Sequence, residues 1–340
     1  ASRLAFDSYE EEEKEEAHDA HEAQDSPYLD RTPFFKTPLI APGEEWRDVT
    51  LDSLIHFFSN PCRYLLRHRL KIVLPETETR FEDEEPFLLE WMARNKTLDR
   101  LLPLALEGEN SESLRRLALA GNELPSGPLG ALELDEELHK LNLFCLTLKQ
   151  ALNQPVVPHT THCLPLEIDN EVWRLSGHLS DLKTSGLVRW RYSDVRAHDY
   201  LTGWIHHLYL CATLEEPHLK QTQWHSRDGL YLLKPMGQTQ AITQLTQLMT
   251  LYREGLSSPL HFYPKSAWEY VTSGGDLKKA KKKWTNTRQS LYGEDADTSY
   301  RLALRGVINP IDAAFCNHAK TVFEPLRNSL IDPRLQELKN

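Results

Sequence analysis

Apolar residues begin to recur at intervals of three and four near residue 50. In "VTLDSLIHFFSN" the side chains of Leu51, Leu54, Ile55 and Phe58 fall on one face of a helix. Thr50 directly precedes this stretch, and threonine is a favourable residue at the N-cap of a helix. The pattern therefore predicts an amphipathic helix that begins just after Thr50.

A second helix is predicted to begin at Asn60, with Pro61 at its first helical position. In "NPCRYLLRHRL" the apolar residues point inward, and the basic residues form a rim that includes Arg63 and Arg67. Such a rim can contact phosphate groups. Partly solvated arginines are also common on ordinary helices, so the sequence leaves both interpretations open.

The apolar pattern divides the rest of the chain into a helical part and a part with strands. Recurrence at three and four continues between residues 85 and 152, which predicts further surface helices. From about residue 162 apolar and polar residues alternate, as in strands. The predicted order there is three strands, a long helix over 194–216, and further strands. We therefore expect a mixed α/β fold with a βββαβ core and a largely helical jacket.

The net charge of −11 is concentrated at the N-terminus. Residues 1–30 contain eleven acidic and two basic residues, whereas the rest contains 39 acidic and 37 basic residues. Because such a segment cannot bury a core, we predict that residues 1–36 are acidic and disordered. The remainder is divided into a mainly helical part, 37–160, and an α/β part, 161–340. This remainder is nearly neutral, so a nucleic-acid partner is compatible with the acidic total.

Several classes of protein lack support in the sequence. The chain contains no GxxxxGK[ST] loop for ATP, no GxGxxG and no HExxH motif. It has no apolar run near the roughly 20 residues that span a bilayer, and its five cysteines form no CxxC pair. It begins without an initiator Met and without a signal-peptide pattern. We expect a cytoplasmic protein, and a piece of a longer chain.

The candidate chemistry lies in "RLSGHLSDLKTSGLVRWRYSD", residues 174–194. Nucleases of the PD-(D/E)xK type hold Mg²⁺ with an Asp on one strand and an acidic-x-Lys pair on the next. In one register, Asp181 and Lys183 are that pair, and Asp169 or Glu167 lies upstream. This register predicts an active Mg²⁺-dependent DNA nuclease.

A second register assigns the two motif strands to "GHLS" and "VRWRYS". The metal positions are then Ser180 and Arg191, and the lysine position is Ser193. A guanidinium repels a metal ion, and a serine hydroxyl is a weak ligand for Mg²⁺. This register is favoured because Asp181 and Lys183 lie against a turn, before another strong strand. It predicts a nuclease-like core with no catalysis, no metal and no other cofactor of its own.

The order of several short motifs resembles a known family. "VTLDSLIHFFSNPCRYLLRHRL" resembles the opening helices of nuclease-like domains in RecB- and AddB-type recombination enzymes. It resembles more closely the C-terminal region of RecC-type gamma subunits of exodeoxyribonuclease V. The further matching motifs are, in order, "NELPSGPLG", "GLVRWRYS", "HHLYLCA", "FYPKSAW", "KKKW" and "YRLALRG". Together they span most of residues 38–307.

This resemblance implies the second register. The active pattern, G-x-I-D followed by D-Y-K, falls on Gly177 and Ser180 and then on Arg191, Tyr192 and Ser193. It implies a non-catalytic scaffold in the helicase-nuclease of double-strand break repair and recombination. The implied partners are RecB- and RecD-type subunits, with docking on RecD, and double-stranded DNA ends and single-stranded DNA. Mg²⁺ and ATP would belong to the partner subunits.

The segment "DLKKAKKKW" is a further candidate for DNA binding. Lys278, Lys279, Lys282 and Lys283 lie close to Trp284 in the sequence. Basic side chains beside an aromatic ring can hold a single strand of DNA through its phosphates and bases. A solvated helix face explains the same lysines equally well, and the sequence does not choose between the two.

Overall fold

The computed structural model describes residues 32–74, 97–98, 100–120, 128–158, 161–286 and 293–332. Within these ranges the fold is mixed α/β, as the sequence predicts. The principal helices are α1 (Leu51–Ser59), α2 (Pro61–Tyr64), α3 (100–107), α4 (Ser111–Leu119), α5 (Pro128–Leu152), α6 (Ala197–Thr213), α7 (Gln238–Gly255), α8 (Pro264–Thr272), α9 (Leu277–Trp284), α10 (Thr298–Ala303) and α11 (Ala313–Ser329).

The predicted starts of the first two helices are confirmed. The Thr50 hydroxyl accepts a hydrogen bond from the Ser53 amide at 3.1 Å, so it caps α1. Asn60 caps α2 by accepting from the Arg63 amide at 2.9 Å, with Pro61 at the first position. After Tyr64 the chain continues as a π-helical turn, Leu65–Arg69, which ends the predicted helix with a wider winding.

Two sheets carry the strands of the described residues. The strands are β1 (Asp48–Thr50), β2 (His162–Ile168), β3 (Glu171–Gly177), β4 (Leu182–Lys183), β5 (Gly186–Arg191), β6 (Thr222–Ser226), β7 (Gly229–Leu233) and β8 (Leu330–Ile331). The first sheet has the order β1-β3-β2, and the second has the order β4-β5-β6-β7-β8. β5 and β6 are parallel and are joined by α6. This is the crossover that parallel neighbours require.

The three consecutive strands expected after residue 162 are present, but they do not form one sheet. β2 and β3 form an antiparallel hairpin in the first sheet, whereas β5 lies in the second. Asp181 turns the chain between them with a φ of 59°. The chain then adds the short strand β4, which pairs antiparallel to β5. Gly186 follows the turn between β4 and β5 and has a φ of 110°. A Cβ at this position would lie 2.3 Å from the Gln221 carbonyl oxygen.

The main core lies between the sheets and the helices around them. α1, α6, α7, α8 and α11 all contribute buried apolar side chains to it. Trp173 on β3 and Trp204 on α6 are among its largest fully buried members. Gly177 allows close packing here, since a Cβ in its place would meet the Leu51 side chain at 3.0 Å. The N-terminal helices therefore share one core with the strands.

A second, smaller core lies between α3, α4 and α5. Its buried residues include Leu101, Leu114 and Leu141, and it also takes Val188 and Tyr192 from the end of β5. A buried ion pair joins α5 to the turn between β6 and β7, because Arg227 donates from Nε to a Glu137 carboxylate oxygen at 2.8 Å. The helices over 97–152 are thus fixed to the second sheet.

Some predictions fall outside the described residues. Residues 1–31 of the expected acidic segment are among them, and so are residues 85–96 of the expected helical stretch. The domain boundary at residue 160 stays a prediction. No helix in the described part of the chain has the length and apolar character needed to cross a membrane.

Candidate nucleic-acid interface

The structure separates the acidic residues of the first register. Asp169 lies in the turn of the β2–β3 hairpin, where its carboxylate pairs with Arg253 on α7. Asp181 follows the other end of β3, beyond Gly177. At about 3.3 Å per residue, the six residue steps from Glu171 to Gly177 extend about 20 Å. The upstream carboxylates and Asp181 therefore lie at opposite ends of this hairpin.

Asp181 and Lys183 also differ in their surroundings. Asp181 is exposed in its left-handed turn, whereas Lys183 is buried, with 7% of its surface accessible. Lys183 pairs with Gly186 in the β4–β5 ladder. An active site of the first register needs carboxylate and lysine to converge on one metal-bound phosphate. The observed geometry does not bring them together with an upstream acid.

The residues of the second register lie around the ends of β3 and β5. The Ser180 carbonyl accepts a hydrogen bond from Arg189 Nη1 at 2.7 Å. Arg191 Nη2 donates to the Asp199 carboxylate at 2.5 Å. The Ser193 amide donates to the Arg191 carbonyl at 2.9 Å. Two guanidinium groups, on Arg189 and Arg191, therefore supply positive charge at this place.

Both arginines are held by helix α6. Asp199 lies in its first turn and also accepts from the Arg196 amide at 2.9 Å, so it caps the helix and orients Arg191. Arg189 Nε donates to His206 Nδ1 at 3.3 Å. Burial, and then the charge of Arg189, lowers the pKa of His206 to about 3, so this ring stays neutral and can accept. The two cations are thus fixed by contacts within the chain.

This arrangement offers cationic donors and no metal ligands in the required number. Among the described residues, no three His, Cys, Asp or Glu side chains are grouped so that they could hold a metal ion. Guanidinium groups bind oxyanions through paired N–H donors. At the end of β5 the oxyanion is the Asp199 carboxylate, which Arg191 binds, so no set of ligands for a divalent cation is left there among the described residues.

Arg63 and Arg67 line a separate cleft of about 560 Å³. Its other walls come from α1, from Lys265 on α8, and from residues 293–300 before and within α10. Arg63 pairs with Asp297 at 2.6 Å. Arg67 is exposed and makes no hydrogen bond or ion pair with any described residue. This cleft therefore contains both a paired and an unpaired arginine.

Polar residues of α1 connect this cleft to the end of β5. His56 and Ser59 line the cleft, and Ser59 Oγ lies 3.1 Å from His198 Nδ1 on α6. His198 is one residue before Asp199, which holds Arg191. Burial is the largest cause that lowers the pKa of His198, and the charge of Arg191 adds to it. A polar strip thus runs from Arg191 across α1 into the cleft.

The lysine-rich segment forms helix α9, capped by Asp276. Lys278, Lys279, Lys282 and Lys283 are exposed on it. Trp284 is directed elsewhere, since its ring lies 4.0 Å from Tyr263 and 5.6 Å from Tyr300, measured between centroids. The lysines and Trp284 therefore do not form one surface, and their contact with DNA stays a prediction.

Several residues of these sites were not predicted from the sequence. Lys265 and Tyr300 enter the cleft from segments more than 190 residues after α1. Arg189 was not singled out, although it stands two residues before Arg191 on the same face of β5. Its spacing was the signal that could have identified it, whereas nothing in the sequence relates Lys265 or Tyr300 to Arg67.

Fold and site together define a mixed α/β domain with cationic, polar sites and no grouped metal ligands within the described residues. The family described as the RecC C-terminal domain matches residues 46–275, more than half of the chain. The chain therefore belongs to this family, and the resemblance seen in the sequence motifs is confirmed.

Several curated proteins are similar to this chain. RecBCD enzyme subunit RecC of Escherichia coli (strain K12) is 29% identical over 225 residues, which are 65% of this chain and 19% of that protein. The protein of the same name from Haemophilus influenzae (strain ATCC 51907 / DSM 11121 / KW20 / Rd) is 23% identical over 59% of this chain and 18% of that protein. The matched region thus spans about a fifth of the length of these relatives.

Proposed function

We propose that this chain is the C-terminal portion of a RecC-type subunit and acts as a non-catalytic binding module for DNA and partner subunits. The observation that carries the proposal is the Arg191–Asp199 ion pair. At this strand position, the nucleases that the chain resembles carry a metal-binding carboxylate. A cation fixed there repels Mg²⁺ and cannot replace the missing ligand.

The order of elements along the chain supports a nuclease-like core of the PD-(D/E)xK type, although β2 and β3 pair in one sheet and β5 lies in the other. The strands β2, β3 and β5 are followed by α6 and then by β6, which is parallel to β5. On this core, Ser180, Arg191 and Ser193 would stand at the degenerate catalytic positions. Such a core would keep the frame of the enzyme while its surface serves binding.

The proposed partners follow from the relatives, which are named as RecC subunits of the RecBCD enzyme. We propose that RecB- and RecD-type subunits bind this chain, that it docks the RecD-type subunit, and that it helps to split or guide DNA strands. Mg²⁺ and ATP would then be bound by the partner subunits, and the assembly would work in the cytoplasm.

A cleavage assay tests the catalytic half of this proposal. The chain is incubated with linear duplex and single-stranded DNA in 10 mM Mg²⁺, and the Asp181→Ala variant serves as control. We expect no cleavage by either protein. Mg²⁺-dependent cleavage that is lost in Asp181→Ala would overturn the proposal and restore the first register.

A binding assay tests the other half. The electrophoretic mobility of forked DNA is measured in the presence of the chain at two salt concentrations. We expect binding that weakens steeply with salt, because phosphate contacts release counterions. A chain that never shifts forked DNA, even at low salt, would be a partner-docking module only.

A further inference from the structure

The cleft around Arg63 and Arg67 has two compartments of different chemistry. The polar compartment, of about 560 Å³, is lined by histidines, Lys265 and the two arginines. The second compartment, of about 340 Å³, shares Arg63 and Arg67 as a wall. Its remaining lining consists of an aliphatic wall, Leu66, Ile72, Val73 and Leu74, and of Thr298 and Ser299. A cationic compartment therefore lies next to one with an aliphatic wall, and Arg63 and Arg67 line both.

The carboxylates of this cleft are already bonded within the protein. Asp297 accepts from Arg63 at 2.6 Å and from Asn60 Nδ2 at 3.1 Å. Glu294 accepts from the Ser266 amide at 2.8 Å and from the Ser266 hydroxyl at 2.7 Å. It also accepts from the Lys265 amide at 3.0 Å. Both acids therefore hold structure in place, and neither neutralises Arg67.

The groups that can still bind a ligand are donors. Arg67 has no hydrogen-bonding partner among the described residues. Tyr300 also lines the cleft, and its hydroxyl is buried without a partner in the described part of the chain. His68 stacks on Tyr64 at a centroid distance of 4.2 Å. The cleft therefore offers unused donors and an available positive charge, which together suit an oxyanion.

We propose that this cleft binds one nucleotide of a single DNA strand, with its phosphate on Arg67 and Arg63 and its base against the aliphatic wall of the second compartment. The inference rests on the proposed function, because it names the place where the chain holds DNA. A single strand fits better than a duplex, since the second compartment can take only a base that is unpaired and unstacked.

The decisive experiment measures binding of a fluorescent 20-nucleotide oligothymidylate to the 340-residue chain by anisotropy, between 50 and 200 mM NaCl. We expect Arg67→Gln to weaken binding about fivefold at 50 mM salt and to reduce the salt slope by about 0.7, the loss of one phosphate contact. Arg116→Gln, an exposed arginine on α4, is the matched control and should bind like the parent chain.

A second variant tests the second compartment. Val73 has 73% of its surface exposed, so Val73→Asp places a carboxylate in the compartment without disturbing a core. We expect it to weaken oligothymidylate binding by about threefold or more. Binding of a blunt duplex of the same length should not change. Equal losses on both DNAs would overturn the assignment of a base to this compartment.

The outcomes separate this inference from the function on which it rests. If the parent chain binds the oligonucleotide but Arg67→Gln binds equally well, the cleft is not the site and the proposed function survives. A quintuple Lys-to-Gln variant of the five exposed lysines on α9 then shows whether that helix is the site instead. If the parent chain binds no single strand at any salt, the inference is wrong, and the assay with forked DNA then decides whether the chain binds DNA at all.

Discussion

The arginines on β5 and Arg67, in the π-helical turn after α2, look alike in the sequence, but the structure uses them differently. Arg189 and Arg191 are bonded to α6 and to the Ser180 carbonyl, so their charges hold the chain together. Arg67 lies in a cleft without an ion-pair partner among the described residues. The number of basic residues in a segment therefore does not show whether the segment forms a binding surface. What matters is whether each cation already has a partner.

The strongest test of this comparison concerns Arg227, which is largely buried. Arg227 and Glu137 have 12% and 8% of their side chains exposed. Glu137→Ala removes two hydrogen bonds of the guanidinium and leaves it with the exposed Asp194, so we expect a loss of about 3 kcal/mol in the free energy of unfolding. Urea denaturation measures it. Glu136→Ala, at the exposed neighbour that pairs with Lys140, should cost less than about 1 kcal/mol. Equal effects would show that the buried pair is no structural link.

The second test concerns Arg191. Its removal leaves Asp199, which has 4% of its side chain exposed, with one of its hydrogen bonds lost at the start of α6. We expect Arg191→Gln to lower the free energy of unfolding by about 2 kcal/mol. Thermal unfolding monitored by circular dichroism checks this, with Arg191→Lys as the variant that keeps the charge. An unchanged midpoint would mean that Arg191 is free to bind ligands.

The third test uses pH. Burial, and next the charge of Arg189, lowers the pKa of His206 to about 3, below the ordinary value near 6.5. At pH values between about 3 and 6.5, His206 is protonated in the unfolded chain but not in the folded chain. The free energy of unfolding therefore falls as the pH decreases below about 6.5. His207 and His225, whose pKa values are lowered to about 4 by burial, act in the same direction.

We expect His206→Gln to reduce the loss of stability between pH 7 and pH 5 by about 2 kcal/mol. Urea denaturation at both pH values measures it, and His139→Gln, at an exposed position on α5, is the control. If the free energy of unfolding of the variant falls with decreasing pH as steeply as that of the parent chain, His206 is not the protonated group.

The smallest expected effect is at Arg67. Because this side chain is exposed and unpaired among the described residues, Arg67→Gln should change the free energy of unfolding by less than about 0.5 kcal/mol. The same substitution should weaken binding to single-stranded DNA, so stability and binding respond in opposite ways at Arg67 and at Arg191. A large stability loss at Arg67 would remove the contrast between the two regions.

Local sequence determined much of the framework. The caps at Thr50 and Asn60 could be predicted because each side chain accepts a hydrogen bond from the backbone amide only three residues later. The change of apolar period at residue 162 marked the strands, since the alternation reflects one buried face. The order of motifs also identified the family that the RecC C-terminal domain match confirms. These features depend on neighbours in the chain, which the sequence shows directly.

The tertiary structure decided which charged residues are available. Arg63 finds Asp297 across 234 positions, and Arg227 finds Glu137 across 90. The separation of Asp169 from Asp181 likewise depends on how the hairpin and the next sheet are placed. Such partners are brought together by packing between residues far apart in the sequence. Local periodicity therefore cannot predict them. The sequence by itself therefore determined the elements and the family, and only the fold decided which arginines are structural links and which line an open cleft.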